Sequence, residues 1–439
     1  MTHHSCSSQS KSCAKGRGQT GCAFRGAKMA LQPITDAAHL VHGPASCETG
    51  SWEFRPTRSS GPDLHRLSLT SDMGEKDVVF GGEKKLLAAI GETIAATDPP
   101  AVFVYQTCLP AMTGDDLRAV CQEAVRRWGR PVIPVDAPGL AGSRPYGNHL
   151  AAQALLDHVV GSLEPESTTA TDINLIGEFN LGGELGRIRP LLSVLGIRVL
   201  ASLSGDGRYA EIASAHRARA SLLLCSQGMS HLAEGLERRY GIPMLQGSFH
   251  GPANCADTLR RLADLLVRLG GPIDLPERTE RLIHREEARV AGRLQGLRQR
   301  LAGKRVLLRC GGAKSWSLIE TLQAAGMRVV GSTLNKASPD DREMTERLVG
   351  FATTDPDNIE ADIVLSGGGN QFEAMKQGKA WLEVNHQRDF ALSGFDGGII
   401  LLERIARTLE SPVWAQLAFP APWDFSAQII PFPQSKEFR

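Results

Sequence analysis

Residues 84–139 read KKLLAAIGETIAATDPPAVFVYQTCLPAMTGDDLRAVCQEAVRRWGRPVIPVDAPG, and this stretch decides the fold class. Apolar residues recur at helical spacing over 84–97 and again over 115–129. Each of these segments precedes a short apolar run, VFVYQ or VIPV, of the kind that forms a strand buried on both faces. Helices that alternate with such strands predict an α/β fold with a parallel, doubly wound sheet.

The same alternation of strand and helix restarts twice further along the chain. It resumes at INLIGEF after the polar segment 161–172, and again at KRVLLRCGG after a long charged helix predicted over 276–303. We therefore expect three Rossmann-like domains around a shared site. The predicted organisation is a flexible N-terminal arm over 1–20 and domains over 21–165, 166–303 and 304–439.

Composition excludes several classes of protein. The 439 residues carry 49 basic and 48 acidic side chains, so nothing in the charge favours nucleic acid or an anionic membrane as a partner. No apolar run approaches the length of a membrane span, and the polar N-terminus lacks the apolar core of a secretory signal. We expect a cytoplasmic protein, in which the nine cysteines stay reduced and metal ligation is favoured over disulfides.

Three cysteines stand out in the first quarter of the chain. Cys22 lies in GCAFRGA, Cys47 in HGPASCETG and Cys108 in VYQTCLPAM, 25 and 61 positions apart. This spacing is too wide for a zinc ribbon or a ferredoxin-type run. It suits a large cluster that separate loops approach from different sides. The alternative is three ordinary buried thiols, which spacing alone favours.

The surrounding residues resemble a known family. GCAFRGAKMALQPITDAAHLVHGPASCETG, over 21–50, and PPAVFVYQTCLPAMTGDD, over 99–116, are similar to the α-type subunits of nitrogenase component 1. The resemblance implies three Rossmann-like domains packed around a buried metallocluster site. It also implies that Cys22, Cys47 and Cys108 are thiolate ligands at an interface with a β-type partner. The cluster there would be P-cluster-like, or a smaller 4Fe-4S cluster.

A second thiol is implied by the same resemblance. Cys225, in SLLLCSQGM, matches the family's thiolate ligand to a large iron–sulfur cofactor. Across that cofactor the glycines of GGGN, namely Gly367, Gly368 and Gly369, would offer backbone N–H groups to an anionic cluster. The alternative for these glycines is a plain turn between a strand and a helix.

The loop EVNHQRDFALSGFDGG, over 383–398, supplies further candidates. Asn385 matches an Asn of the family's cofactor-scaffold branch, and His386 is a possible imidazole ligand or a surface histidine. Asn148 stands where nitrogenase has a histidine near its substrate, with His149 beside it. We take His386, Asn148 and His149 as catalytic candidates and Asn385 as a cofactor-binding one. Lys314 and His250, each near a strand end, are weaker candidates.

Two functions from the family remain open. The chain contains no Walker A, GxGxxG or HExxH motif, so its residues do not predict ATP hydrolysis. The resemblance implies that an ATP-hydrolysing iron protein of the NifH type delivers electrons to an α2β2 assembly. We prefer a nitrogenase-like reductase that cleaves the C–S bonds of methylthio-alkanes, because SDMGEKDVVFGGEKKL is closer to the catalytic subunits and because GGGN and His386 depart from the scaffold pattern. Asn148 argues against dinitrogen as the substrate. The alternative is a scaffold for iron–molybdenum cofactor biosynthesis, because the segments GPDLHR, IGEFN and GDGRY resemble the scaffold branch of the family. A metal-free paralogue is the third hypothesis.

Overall fold

The strands of the chain form three separate sheets. The computed structural model describes residues 21–52, 57–310, 313–332, 343, 346–348, 359–385 and 388–417. In this part of the chain each sheet has four strands, and every neighbouring pair is parallel. All three sheets place their first strand between their second and third strands. The predicted α/β class with three Rossmann-like units is confirmed, whereas the exact domain boundaries stay predictions.

Strands and helices alternate as the residue pattern predicts. The strands are β1 Ala38–His42, β2 Leu69–Thr70, β3 Val102–Gln106, β4 Val132–Val135, β5 Asp172–Ile176, β6 Arg198–Leu203, β7 Ala220–Leu223, β8 Met244–Gln246, β9 Arg305–Arg309, β10 Arg328–Ser332, β11 Ile363–Ser366 and β12 Ala380–Glu383. The α-helices are α1 Ala23–Leu31, α2 Ala45–Trp52, α3 Glu75–Phe80, α4 Glu83–Thr97, α5 Cys108–Thr113, α6 Leu117–Trp128, α7 Arg144–His158, α8 Leu185–Val194, α9 Tyr209–Ala213, α10 Ser226–Tyr240, α11 Pro252–Arg268, α12 Leu275–Leu301, α13 Ala313–Ala324, α14 Gln371–Lys376, α15 Gly394–Leu409 and α16 Val413–Leu417. None of these helices has the length and apolar character needed to cross a membrane.

The middle sheet, β5 to β8, is the central layer of the molecule. Successive strand residues face opposite sides of a sheet. Leu175 and Leu222 accordingly pack into a core shared with the third sheet, and Ile176 and Leu223 into a core shared with the first. This burial on both faces explains why the strands are continuous apolar runs. It also joins the three units through shared apolar cores.

The long helix α12 joins the second and third units. Its apolar stripe is buried against α11 and α15, as expected for the charged helix predicted over 276–303. On its polar side Arg289 pairs with Asp396, with both N–O distances at 2.8 Å, and Arg293 pairs with Glu403 at 2.8 Å. These exposed pairs each add little stability, so the buried stripe is the main attachment.

Helices α1 and α7 cross with their backbones in contact. A Cβ on Gly26 would lie 2.0 Å from the Arg144 carbonyl oxygen, and one on Gly147 would lie 1.9 Å from the Ala23 carbonyl oxygen. Only glycine allows such an approach. The crossing holds the segment that carries Cys22 against the start of α7.

Candidate functional site

The three predicted cluster cysteines lie at the carboxyl edge of the first sheet. Cys47 is in the first turn of α2, which follows β1, and Cys108 is the first residue of α5, which follows β3. Cys22 is the N-cap residue of α1 and pairs with Ser143, in the loop beyond β4. All three are partly exposed, and none is in a disulfide. The carboxyl edge of a parallel sheet is where open α/β folds bind ligands.

Glycines bring the three loops together. A Cβ on Gly139 would lie 2.9 Å from Cys108 Sγ and 3.1 Å from Cys22 Sγ, so these two thiols flank a position that has no side chain. The loops that lead to Cys47 and Cys108 are joined where they begin. The Thr107 N–H and hydroxyl both donate to the His42 carbonyl, at 3.1 and 2.9 Å. The structure thus assembles three thiols that are distant in sequence.

Cys47 faces the other two thiols. Burial raises the pKa of the Cys47 thiol, and the nearby Cys108 and Cys22 sulfurs raise it further. Within the described ranges no three His, Cys, Asp or Glu side chains close on a point that would hold one metal ion. Three neighbouring thiols at one sheet edge are a donor set that suits a group with several metal atoms. An iron–sulfur cluster, which thiolates hold, is such a group.

The second predicted thiol lies at the carboxyl edge of the middle sheet. Cys225 is the N-cap residue of α10, directly after β7, and the preceding Leu224 N–H donates to the Ile176 carbonyl at 2.8 Å. Gly177, with φ +87°, passes so close that a Cβ would lie 2.8 Å from the Cys225 nitrogen. Both the backbone conformation and the space therefore require glycine beside this thiol.

Helices α7 and α10 run in parallel beside this thiol. The rings of His149 and His231 are 4.4 Å apart, and further along Arg239 on α10 donates to Asp157 on α7 at 2.6 Å. Because contacts advance together along both helices, their N-termini lie at the same end. Arg144, the first residue of α7, is close enough to Cys225 for the thiol to affect its pKa.

The predicted candidates Asn148 and His149 lie one turn along α7 from its start. Asn148 is buried, and its Oδ1 has no hydrogen-bond partner among the described residues. His149 packs against His231 between the two helices. Burial lowers the pKa of His149, and the neighbouring His231 lowers it further, so the ring is neutral at pH 7.

The third sheet brings the predicted glycines and Asn385 together. A Cβ on Gly367, after β11, would lie 3.1 Å from Asn385 Nδ2, and one on Gly368 would lie 3.3 Å from Glu383 Oε2. Around Gly369 there is open space. His386 lies outside the described residues, so its predicted role stays a prediction.

Polar side chains connect the second and third sheets. Lys314, on α13, donates to the Val384 carbonyl at 2.9 Å, one residue before Asn385. Burial raises the pKa of Glu178 to about 8, Glu184 raises it too, and the Lys314 cation opposes the shift. Burial lowers the pKa of His250 to about 3, and Lys314 lowers it further. Lys314 therefore lies within electrostatic reach of both groups.

Glu178 and His250 both retain accessible surface, although burial dominates both pKa shifts. Glu178 follows Gly177, which lies against Cys225, so Glu178 is close to the second thiol. Sequence reasoning missed Glu178 and Arg144. The position of Glu178 at the end of an apolar strand was a signal that could have found it. No local feature of the sequence marked Arg144.

Comparisons with known proteins give a consistent result. A family model described as nitrogenase component 1 type oxidoreductase matches residues 22–410. The nitrogenase iron-molybdenum cofactor biosynthesis protein NifE of Bradyrhizobium diazoefficiens is 51% identical over 94% of this chain and 78% of that protein. NifE of Klebsiella pneumoniae is 44% identical over 93% of each chain. A solved structure entitled "Nitrogenase Cp1 at pH 6.5" is 25% identical, with a TM-score of 0.81 over 92% of this chain and 91% of that one.

These relatives correct the preferred functional prediction. We expected a reductase that cleaves C–S bonds, but curated relatives of 44 to 51% identity over nearly the whole chain are cofactor biosynthesis proteins. The reductase prediction relied on a few local departures such as the GGGN turn and His386. A chain that holds a cluster without reducing a substrate has no need of catalytic side chains at those positions. The catalytic roles of Asn148, His149 and His386 depend on a reductase reaction and stay untested.

Proposed function

Because the chain belongs to the nitrogenase component 1 type oxidoreductase family, we propose that it is a scaffold subunit of the NifE type, which holds a precursor of the iron–molybdenum cofactor. The observation that carries the proposal is the 51% identity to a NifE protein over 94% of this chain. The separate placement of three thiols in one site and a fourth in another gives a scaffold one site for its own cluster and one for its cargo, although a reductase of the family shares this layout.

In this proposal Cys22, Cys47 and Cys108 hold an iron–sulfur cluster of P-cluster-like or 4Fe-4S type. Such a cluster stores and passes electrons. The three thiols supply only part of its ligands and are partly exposed, so a second chain completes the site. Apolar side chains are exposed on the neighbouring helices: Phe80 on α3 is 85% exposed and Met112 on α5 is 76% exposed. Helices α3 and α5 contact each other, so these side chains lie on adjoining parts of the surface.

A surface of this kind favours a protein partner. We propose a β-type subunit of the same family in an α2β2 assembly. An ATP-hydrolysing iron protein as electron donor and a cytoplasmic location stay predictions.

The second site holds the cargo in this proposal. Cys225 binds the cofactor precursor through its thiolate, and Gly367, Gly368, Gly369 and Asn385 face it from the third sheet. Lys314 supplies positive charge for an anionic cargo. Glu178, with a pKa of about 8, is largely protonated at pH 7 and is therefore a hydrogen-bond donor close to Cys225. These groups bind and orient the cargo.

The test is transfer of cargo. The chain is purified without oxygen together with its β-type partner, loaded, and mixed with a nitrogenase that lacks its cofactor. We expect the wild-type complex to activate that nitrogenase and the Cys225→Ala complex to fail, while both retain the iron of the three-cysteine site. A wild-type complex that carries no transferable cofactor precursor would contradict the scaffold function.

A further inference from the structure

Arg144 lies between the two thiol sites. Its backbone N–H donates to the Gly21 carbonyl at 2.8 Å, and the Ala23 N–H donates to the Gly142 carbonyl at 2.9 Å. Residues 142–144 are thus attached to the segment that carries Cys22. The Arg144 side chain packs along Gly21, where a Cβ would lie 3.6 Å from Arg144 Cδ. The backbone of Arg144 is therefore held by the first site.

The guanidinium of Arg144 reaches the environment of Cys225. Helices α7 and α10 start at the same end, so the first residue of α7 and the N-cap residue of α10 both lie at that end, with a kink in α10 at Met229 between Cys225 and His231. Burial lowers the pKa of Arg144, the Arg25 cation lowers it further, and the Cys225 thiol opposes the shift. Arginine stays protonated at pH 7 despite such shifts. A permanent positive charge therefore lies near the second thiol.

This charge has no anionic side chain to balance it in the part of the chain that the structure describes. None of the ion pairs there includes Arg144, and its nearest charged neighbour of the same sign is Arg25. A half-buried guanidinium beside a second cation is unfavourable until an anion arrives. The arrangement is therefore suited to an anionic ligand.

We propose that Arg144 is a binding residue of the second site, where its guanidinium pairs with the negative charge of an iron–sulfur cargo attached to Cys225 and slows the release of that cargo. This inference rests on the proposed scaffold function and adds to it a residue that acts through charge. The guanidinium donates N–H hydrogen bonds to cluster sulfides or to other anionic groups of the cargo. Its role is retention of the cargo.

The experiment measures iron at the second site in the complex with the β-type partner. Each variant is prepared with and without the additional substitution Cys225→Ala. The difference in iron content between the two preparations is the iron bound at the second site. We expect Arg144→Gln to speed the release of this iron to a chelator by about tenfold, as befits one lost charge-assisted hydrogen bond. Arg144→Lys, which keeps the charge but loses the fork, should lie between Arg144→Gln and wild type. Arg126→Gln is the matched control, because Arg126 is a surface arginine on α6 whose only ion pair among the described residues is with Glu123.

Four outcomes separate the hypotheses. Wild-type release rates in Arg144→Gln would overturn the role of Arg144 and leave the scaffold function intact. If Cys225→Ala retains as much iron as wild type, the scaffold function itself is wrong. If adding Arg144→Gln to Cys225→Ala removes further iron, Arg144 supports the first site. If Arg144→Gln does not fold while Arg144→Lys behaves as wild type, Arg144 supports the fold. Either result also overturns the proposal.

Discussion

Lys28 and Glu48 form an ion pair in which both side chains are 1% exposed. Lys28 is on α1, which begins after Cys22, and Glu48 follows Cys47 on α2. Burial lowers the pKa of Lys28 and raises that of Glu48, and each partner opposes the shift of the other. Lys28 also donates to Ser51 Oγ at 3.2 Å. The pair therefore connects the two helices that carry two of the three clustered thiols.

Removing one partner of this pair should destabilise the first unit. Lys28→Met leaves a buried carboxylate without its cation, which costs about 3–5 kcal/mol when a buried pair is broken. We expect a lower denaturant midpoint for the iron-free chain and weaker iron binding at the three cysteines. Replacing both partners, as in Lys28→Met with Glu48→Leu, should recover much of the stability, since no charge is left unpaired. An unchanged midpoint in Lys28→Met would show that the pair is not structurally important.

His39 makes the iron-free chain sensitive to acid. Its Nδ1 accepts from the Tyr105 hydroxyl at 2.7 Å and its Nε2 N–H donates to the Ile34 carbonyl at 2.9 Å, so the folded ring is neutral. Burial lowers the pKa of His39 from 6.5 to about 3. Between these values the unfolded chain binds the proton and the folded chain does not, so stability falls as pH falls from about 6.5 toward 3.

The variant His39→Gln tests this sign. The difference in unfolding free energy between wild type and variant should shrink as pH falls through that window, because glutamine does not titrate. Denaturant titrations at about pH 7.5, above the window, and at about pH 5.5 and 4.5, within it, measure this difference. A difference that stays constant with pH would contradict the neutral buried ring.

Gly139 should be needed for iron at the first site. The Cβ of Gly139→Ala would meet Cys108 Sγ at 2.9 Å and Cys22 Sγ at 3.1 Å, so both thiols must move. We expect loss of most first-site iron with the second site retained, measured by iron analysis of the complex. Gly50→Ala is the control, because Gly50 lies on α2 near Cys47 and a Cβ there meets no atom within 4 Å. Equal iron in the two variants would contradict this geometry.

Gly177 should have the same role at the second site. Gly177→Ala combines a positive φ of +87° with a contact of 2.8 Å to the Cys225 nitrogen. The control Gly241→Ala, at the end of α10, has φ +69° and no neighbour within 4 Å, so it carries the backbone strain alone. We predict loss of second-site iron and of cofactor transfer in Gly177→Ala only. If Gly241→Ala loses as much, strain in the backbone explains the effect.

The exposed apolar surface near the cysteines should bind the β-type partner. Phe80→Ser removes a side chain that is 85% exposed on α3, and we expect at least a tenfold weaker complex, as for a central interface residue. Phe372→Ser is the control, since Phe372 is 71% exposed on α14, in the unit of the third sheet. Affinity is measured by anaerobic titration of the partner. A complex of unchanged affinity in Phe80→Ser would place the interface elsewhere.

Several parts of the site were predictable because their signals are local. A strand that ends in a cysteine, as at VFVYQTC, places that cysteine at the carboxyl edge of a parallel sheet, and Cys108 and Cys225 are both found there. Asn385 and the GGGN turn follow neighbouring strands and therefore meet. The choice between reductase and scaffold failed because both branches share these local motifs, whereas identity over the whole chain distinguishes them.

The sequence by itself determined the alternation of helix and buried strand, and with it the α/β class and the strand ends at which the thiols lie. Apolar periodicity is a local property, and it specifies secondary structure and burial without specifying distant neighbours. Only the tertiary structure decided that Gly139 separates Cys22 from Cys108, that Lys28 pairs with Glu48, and that Arg144 approaches Cys225. These relationships depend on how helices cross and sheets stack, because they join residues that no repeat period connects.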